Sequence, residues 1–250
     1  MALSAPTGPG AASVAPVRIF GLTAPVFAAT CYVVAADDGT CVVVDPGGGV
    51  APAVAATVAE HGLRVAGVVA THGHADHVWD AGRVAGAAGV PLRLHARDAY
   101  RLADPLGTLG AGARGVSDGL AAALRDAGLD ADGFDAGEPA PFGAGDGART
   151  PDEELVLGGV RLVARHAPGH TEGSTLYLLE AGDDRVAFTG DVLFAGTVGR
   201  TDLPGGDPAT MAATLRDVVA TLPPRTHVLP GHGPATRVDR ELATNPYLAG

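Results

Sequence analysis

The sequence predicts an α/β fold in which two β-sheets are flanked by helices. Short apolar runs rich in valine recur between glycine and proline residues, as expected for buried strands. Helical patterns follow several of these runs, and the alternation occurs in two similar halves of the chain, which favours paired sheets over an all-β barrel. A chain of 250 residues with 46% hydrophobic residues is long enough to fill one core, so we expect a single domain over residues 17–250.

The first half of the chain supplies four predicted strands and two predicted helices. The tetrapeptide Ala-Asp-Asp-Gly at residues 36–39 separates two apolar runs and is typical of a hairpin turn. An alanine-rich helix and a buried strand follow, and the second helix begins inside a histidine-rich segment. The predicted strands are 17–23, 27–35, 41–45 and 65–70, and the predicted helices are 51–61 and 77–88.

The second half repeats this alternation after a less regular stretch. Residues 103–150 are rich in glycine and aspartate, contain one predicted helix near 120–127, and are a candidate flap. Asp207 is the expected cap of a later helix, because a carboxylate accepts hydrogen bonds from amide groups at a helix start. The predicted strands are 154–157, 160–165, 174–180, 185–188 and a last strand that ends with residues 228–229, and the predicted helices are 208–222 and 237–245.

Charge and composition exclude several classes of partner. The 17 basic residues are all arginine, and 28 acidic residues leave a net charge of −11, which disfavours both nucleic acid and anionic membrane surfaces. Cys31 and Cys41 are too few for a disulfide framework, and we expect small buried thiols. The chain lacks a run of eighteen apolar residues, and residues 1–16 resemble a disordered tail more than a signal peptide. These features predict a cytoplasmic protein.

The strongest chemical signal is the segment Thr-His-Gly-His-Ala-Asp-His at residues 71–77, directly after a buried strand. Imidazole nitrogens and carboxylate oxygens are the ligands that zinc and similar divalent ions take. An extended turn puts His72 and His74 on one side, and Asp76 and His77 follow as the chain enters a helix. Such a segment can serve two adjacent metal ions, so we interpret it as a metal-binding motif.

Three further candidates each follow an apolar strand in a tight turn of small residues: His170, Asp191 and His232. Because strand ends converge at one edge of a sheet, separated positions can build a single site there. Together with the first motif they supply five histidines and two aspartates, enough for two metal ions with a shared carboxylate. His166, four residues before His170, is a candidate for orienting a ligand.

The order of these motifs resembles the metallo-β-lactamase superfamily, and within it the glyoxalase II-like hydrolases, over residues 17–248. The resemblance implies an αββα sandwich of two mixed sheets. It also implies two divalent metal ions, with zinc expected and iron or manganese as alternatives. Zinc β-lactamases commonly have cysteine where this chain has Asp191, which disfavours antibiotic hydrolysis. The implied ligands are His72, His74 and His170 for one ion, Asp76, His77 and His232 for the other, and Asp191 as the bridge.

The resemblance implies hydrolysis of small thioesters of the S-2-hydroxyacyl-thiol type through a metal-bridging hydroxide, with Asp76 and Asp191 as catalytic carboxylates. Asp45 resembles a residue that supports the metal-binding loop; a plain turn-capping role is the alternative. In glyoxalase II a basic residue at the position of Arg200 grips glutathione, and a tyrosine lies two positions on, where this chain has Asp202. Arg200 is therefore either a substrate-binding carboxylate clamp or the partner of Asp202 in an ion pair.

Two other functions remain open. A mononuclear-iron persulfide dioxygenase resembles the chain through the histidine segment and the Gly-Arg-Thr-Asp stretch at 199–202, and it would use only His72, His170 and Asp191. The Pro-Gly-His-Gly turn at 230–233 favours the hydrolase. A metal-binding module without catalysis is the third interpretation. The oligomeric state, the acyl group and the thiol carrier are left open by the sequence.

Overall fold

The computed structural model describes residues 17–110, 114–130, 133–145, 147–182 and 184–248. The tail predicted over residues 1–16 lies outside these described residues. Within them, two mixed β-sheets pack face to face and helices lie on both outer faces, which confirms the predicted α/β architecture. Among the described helices, none combines the length and the apolar character needed to cross a lipid bilayer.

Five strands form the first sheet: β1 (Arg18–Thr23), β2 (Thr30–Ala35), β3 (Thr40–Val44), β4 (Arg64–Val69) and β5 (Leu92–Arg93). They lie side by side in chain order. The first three pair antiparallel, and the predicted turn at 36–39 is confirmed as the hairpin link between β2 and β3. The last three run parallel, so the carboxyl end of β4 reaches the same edge as that of β3.

The second sheet has six strands in the order β13-β12-β9-β8-β7-β6, and only β9 and β12 pair in parallel. A separate ribbon of β10 and β11 precedes β12. These strands are β6 (Glu153–Leu157), β7 (Val160–His166), β8 (Thr175–Ala181), β9 (Asp184–Gly190), β10 (Leu193–Phe194), β11 (Thr197–Val198), β12 (His227–Pro230) and β13 (Thr236–Arg237).

Within the described residues, six α-helices lie around the sandwich. Two 3₁₀ segments, Ala96–Ala103 and Gly107–Leu109, lead into the region before β6, and a π-helical turn, Leu215–Val219, extends the fifth helix. The first and third helices pack on the outer face of the first sheet, and the fifth and sixth pack on the second. The α-helices are α1 (Ala51–Glu60), α2 (Ala75–Val78), α3 (Ala81–Ala88), α4 (Arg114–Asp126), α5 (Pro208–Thr214) and α6 (Val238–Thr244).

Several predicted boundaries are wrong. The strand predicted from residue 27 begins at Thr30, because Phe27 and Ala28 adopt left-handed backbone angles in a turn. The helix predicted over 77–88 is two helices, interrupted before Asp80, whose carboxylate instead accepts a hydrogen bond from the amide of Ala51 (2.8 Å). The helix predicted over 208–222 ends at Val219, and the one near 120–127 spans 114–126.

Other local predictions are confirmed. Asp207 caps α5 by accepting a hydrogen bond from the amide of Thr210 (2.6 Å). Cys31 and Cys41 are free, buried thiols. Neighbouring residues of a strand alternate between the two cores: Val33 faces the outer helices, and Val34 faces the second sheet.

Side-chain and backbone hydrogen bonds join the sheets near the ends of the strands. The Tyr177 hydroxyl donates to the carbonyl of Ala70 (2.9 Å), and the Tyr32 hydroxyl donates to that of Pro230 (2.7 Å). The amide of Thr175 donates to the carbonyl of Thr71 (2.8 Å). These contacts fix the loop that follows β4 against the second sheet.

Packing in the core between the two sheets predicts how substitutions there affect stability. Leu162 on β7 is fully buried between them, so Leu162→Ala leaves a cavity and should lower the free energy of unfolding by about 2–5 kcal/mol. Urea unfolding followed by circular dichroism measures the change. Val156 on the edge strand β6 is exposed, so Val156→Ala should cost less than about 1 kcal/mol. Equal losses in the two variants would contradict the burial of Leu162.

Candidate metal centre

Four strand ends meet at one edge of the sandwich. The turn after β4 carries the histidine segment, and the turns after β7, β9 and β12 carry His170, Asp191 and His232. Gly231 allows close approach here, since a Cβ at this position would lie 2.3 Å from Oδ1 of Asp191. The structure therefore brings together all seven predicted ligands, which are His72, His74, Asp76, His77, His170, Asp191 and His232.

The first group consists of three buried histidine rings. Nε2 of His72 lies 3.1 Å from Nδ1 of His74 and 3.2 Å from Nε2 of His170. Nδ1 of His74 lies 2.9 Å from Nε2 of His170. Tetrahedral zinc with Zn–N bonds of about 2.0–2.1 Å separates its nitrogen ligands by about 3.3 Å, so these three nitrogens match one face of such a site.

The second group lies beside the first. Nε2 of His232 is 3.3 Å from Oδ2 of Asp76, and Nε2 of His77 is 3.7 Å from the same oxygen. Asp191 lies between the groups: Oδ1 is 3.3 Å from Nε2 of His77, and Oδ2 is 3.7 Å from Nε2 of both His170 and His232. One carboxylate thus faces both sets of ligand atoms.

Hydrogen bonds on the far side of three rings determine which ring nitrogen holds the proton. Nδ1 of His170 donates to the carbonyl of Arg200 (2.7 Å), and Nδ1 of His77 donates to Oδ2 of Asp45 (3.0 Å). The Thr71 hydroxyl donates to Asp45 (2.7 Å), so it accepts from Nδ1 of His72 (3.1 Å). These assignments, inferred from the hydrogen-bond partners, leave the Nε2 lone pairs pointing into the centre.

Asp45, the predicted support residue, lies under the histidine segment. Its backbone is left-handed, with φ 51°, an unfavourable conformation for a residue other than glycine. Its Oδ1 accepts a hydrogen bond from the amide of Thr71 (2.6 Å), and its Oδ2 accepts from His77. The carboxylate therefore fixes both the loop and one of the rings.

Burial keeps two rings of the first group, His72 and His74, neutral. Burial and the neighbouring His170 ring hold the pKa of His74 at about 3, below its ordinary value of 6.5. Burial and the rings of His77 and His170 hold the pKa of His72 well below that value. Neutral imidazole is the form that binds a metal ion, so this environment suits cation binding.

The carboxylates are ionised. Burial alone raises the pKa of Asp76, but His77 and His232 outweigh burial and hold it below its ordinary value. Burial and His77 act in the same opposed way on Asp191, whose pKa is also lowered. In return the two carboxylates overcome the burial of His77 and raise its pKa in the metal-free protein. A cation bound at Nε2 of His77 would take the place of that extra proton.

Unsatisfied buried atoms give an independent test of whether cations fit here. Among the described side chains, the buried atoms Nε2 of His77 and Oδ1 of Asp191 have no hydrogen bond of normal geometry. With the tautomers inferred from their outer hydrogen bonds, the Nε2 lone pairs of His72 and His170 face each other across 3.2 Å. Buried polar atoms in this state are costly, and a cation shared among them removes the cost.

A cavity of about 300 Å³ opens over the centre. Its walls are mainly apolar and come from separate parts of the fold, among them Phe27 in the loop before β2 and Leu120 on α4. Helix α4 belongs to the stretch predicted as a flap, and the flap interpretation stays a prediction. The other apolar lining residues are Ala75, Leu109, Phe194 and Leu203.

Arg200 also lines this cavity, and its guanidinium is paired. Its Nε and Nη2 donate to the two carboxylate oxygens of Asp202, each at 2.7 Å. The hydrogen bonds from Arg200 lower the pKa of Asp202 to about 2. Of the two roles left open for Arg200, the structure contains the internal ion pair.

His166 does not reach the rings of the centre. Its Nδ1 accepts a hydrogen bond from the amide of Thr150 (3.1 Å), and its Nε2 donates to the carbonyl of Glu172 (2.8 Å). It stacks on His95 at 4.0 Å with an angle of 9° between the rings. Sequence reasoning missed Asp98, a buried carboxylate behind the histidine turns, because a lone aspartate in a 3₁₀ segment carries no motif.

The superfamily profile described as "Metallo-beta-lactamase superfamily" matches residues 24–232. The chain belongs to the metallo-beta-lactamase superfamily. It is 35% identical to an uncharacterized protein of Mycobacterium tuberculosis, Rv2581c, over 93% of this chain and 98% of that one. It is 30% identical to the hydroxyacylglutathione hydrolase GloC of Haemophilus influenzae, over 93% and 97% of the two chains.

Solved structures of this superfamily share the fold. BLEG-1 B3 metallo-beta-lactamase superimposes with a TM-score of 0.73 at 29% identity, covering 93% of this chain and 100% of that one. TTHA1623 in a di-iron-bound form gives 0.67 at 30% identity, covering 92% and 100%. ETHE1 from Myxococcus xanthus gives 0.68 at 24% identity, covering 93% and 85%, a likeness of fold alone.

The buried His95 ring predicts a pH dependence of stability. Burial and the His166 ring lower the pKa of His95 to about 3, whereas an unfolded histidine takes up its proton near 6.5. The unfolded state therefore binds more protons as the pH falls below 6.5, and the free energy of unfolding should decrease between pH 7 and pH 5. Urea unfolding should show a smaller decrease for His95→Asn than for the wild type.

Above pH 7 the His95 ring of the wild type is neutral in both the folded and the unfolded state, and the asparagine of the variant does not titrate, so the two stabilities should then run parallel. Identical decreases between pH 7 and pH 5 would show that His95 does not contribute to the acid sensitivity.

Proposed function

We propose that the protein is a dinuclear metallo-hydrolase that cleaves small thioesters. The observation that carries the proposal is the position of Asp191, whose two oxygens face two separate groups of ligand atoms. A site with a shared carboxylate suits two cations at short separation. We assign His72, His74 and His170 to one ion and Asp76, His77 and His232 to the other, with Asp191 shared between them.

Two ions held by these residues would supply an activated water and polarise the substrate carbonyl. The chain's own residues hold and orient the reactants. Asp76 and Asp191 are the proposed catalytic carboxylates, because their oxygens face the centre and can accept a hydrogen bond from the attacking water. Asp45 keeps the proton of His77 on Nδ1, so that Nε2 stays free as a ligand.

Thioesters suit this centre better than amides. A thiol has a low pKa, so its thiolate leaves without protonation by a strong general acid. The walls of the cavity are mainly apolar, which excludes competing water and accommodates a small acyl group. The relative GloC is named as a hydrolase of a glutathione thioester, which supports the same substrate class for this chain.

Zinc is our proposed metal, because neutral imidazole and carboxylate ligands in this geometry suit it. Iron is the main alternative, since the same ligands accept it and the relative TTHA1623 is known in a di-iron-bound form. Within the cell we propose a cytoplasmic location and a small-molecule thioester as the partner.

Metal analysis of protein purified without added metal, followed by a panel of thioesters, tests this function. We expect about two equivalents of metal per chain and hydrolysis that a chelator abolishes and zinc restores. One equivalent of iron with oxygen uptake on thiol persulfides would favour a mononuclear dioxygenase instead. A metal-loaded protein that is inactive in both assays would favour the third interpretation, a metal-binding module without catalysis.

Removal of Asp76 tests the second ion. Asp76→Ala should retain about one equivalent of metal and lose more hydrolysis than the roughly 10- to 100-fold typical of residues outside the ligand set. Mass spectrometry of the native protein and steady-state kinetics measure the two effects. Asp217→Ala removes an exposed carboxylate and should keep both properties. Full activity of Asp76→Ala would contradict the proposal of a dinuclear centre.

The Arg200–Asp202 pair predicts substrate preference. Asp202→Asn removes the carboxylate that holds the guanidinium, so the KM for a carboxylate-bearing thioester such as a glutathione ester should fall several-fold. The KM for an uncharged thioester should stay constant. Asp217→Asn breaks the comparable exposed pair with Arg216 and serves as the control. An unchanged KM for the charged ester would exclude Arg200 as a latent carboxylate clamp.

A further inference from the structure

A second buried carboxylate lies directly behind the first group of rings. Asp98, on the 3₁₀ segment Ala96–Ala103, is fully buried and is outside the proposed ligand set. Its Oδ2 accepts hydrogen bonds from the amide of Gly73 (2.8 Å) and the hydroxyl of Thr171 (2.7 Å). Its Oδ1 accepts from the amide of Gly173 (2.8 Å) and faces Nε of Arg101 at 3.4 Å. Both oxygens are therefore engaged.

The donors belong to the two turns that carry the first group of rings. Gly73 lies between His72 and His74 in the turn after β4 of the first sheet. Thr171 directly follows His170, in the turn after β7 of the second sheet. One carboxylate thus joins the two turns directly, and it does so across the interface between the sheets.

Glycine is required for this approach. A Cβ at Gly73 would lie 2.9 Å from Cδ of Arg101 and 3.0 Å from the backbone oxygen of Asp98. A Cβ at Gly173 would lie 2.7 Å from Cγ of Asp98. Bare backbone at both positions lets the amides reach a carboxylate that side chains would keep away.

Arg101 balances the buried charge and extends the contact. It is fully buried, and its Nη2 donates to Oε2 of Glu172 (2.6 Å) and to the carbonyl of Pro204 (2.8 Å). Pro204 directly follows Leu203, which lines the cavity over the centre. The same pair of side chains therefore also holds one wall of the cavity.

We propose that Asp98 is a positioning residue that sets the spacing of the His72, His74 and His170 rings by binding the backbone of both turns. The inference rests on the metal centre of the proposed function. A ligand set assembled from two sheets has no covalent link to fix its spacing, and small displacements of the turns would separate nitrogens that now lie 2.9–3.2 Å apart. The hydrogen bonds of the Asp98 carboxylate supply a non-covalent link between the two turns.

Asp98→Asn tests the inference with little change of volume. An amide offers one acceptor oxygen, so two of the donors lose their partner. Zinc affinity, measured by chelator competition on the apoprotein, should fall about 10- to 100-fold for one of the two ions. The spectrum of the cobalt-substituted protein should change for that ion alone, and kcat should fall more than KM changes.

Glu241→Gln is the matched control. Glu241 is also buried, and its carboxylate accepts three hydrogen bonds. The donors are the backbone amide of Gly196 (2.8 Å), the hydroxyl of Thr236 (2.6 Å) and the side-chain amide of Asn245 (2.9 Å). This variant should lose thermal stability and keep the wild-type cobalt spectrum. Wild-type affinity and spectrum in Asp98→Asn, or the same loss of metal in both variants, would overturn the positioning role.

Thr171→Val keeps the test decisive if Asp98→Asn fails to fold. It removes one of the donors with an isosteric side chain, so it should weaken the same ion by a smaller factor. Unchanged affinity in Thr171→Val would then refute the inference. The readout is metal binding, so a wild type that binds metal without cleaving thioesters fails the proposed function and still tests Asp98. A wild type that binds no metal fails both.

Discussion

The centre depends on the hydrogen bonds that the carboxylate of Asp45 accepts. A left-handed backbone at a residue other than glycine costs about 1–3 kcal/mol. Hydrogen bonds to a charged group are worth about 1.5–3 kcal/mol each, so the contacts with Thr71 and His77 offset that strain. Their second effect is chemical, because they keep the ring protons of His72 and His77 on the outer nitrogens and leave lone pairs facing inwards.

Sequence reasoning found the parts of the centre whose signals are local. The segment at 71–77 is recognisable from its residue types and their spacing. The turns with His170, Asp191 and His232 each follow a recognisable strand. The paired sheets were predictable because the alternation of strands and helices is a pattern of short range. The helix cap Asp207 was predictable for the same reason, since a helix cap depends only on neighbouring residues.

Contacts between distant segments were not predictable from local signals. Nothing near Asp98 indicates that its partners are the turns at Gly73 and Thr171, because those contacts span 25 and 73 positions. The break before Asp80 has the same origin, since its side chain bonds to Ala51 across 29 positions. Such features depend on how the sheets pack, and the sequence of one segment does not contain that information.

The assembly of one ligand group from both sheets also has a topological consequence. An ion held jointly by His72 and His170 would connect residues 98 positions apart in the chain. The two ligands can reach one ion only when both sheets are docked, so metal binding would stabilise the folded state relative to the unfolded chain. Metal uptake and the docking of the two halves of the chain would then be thermodynamically coupled, and each would strengthen the other.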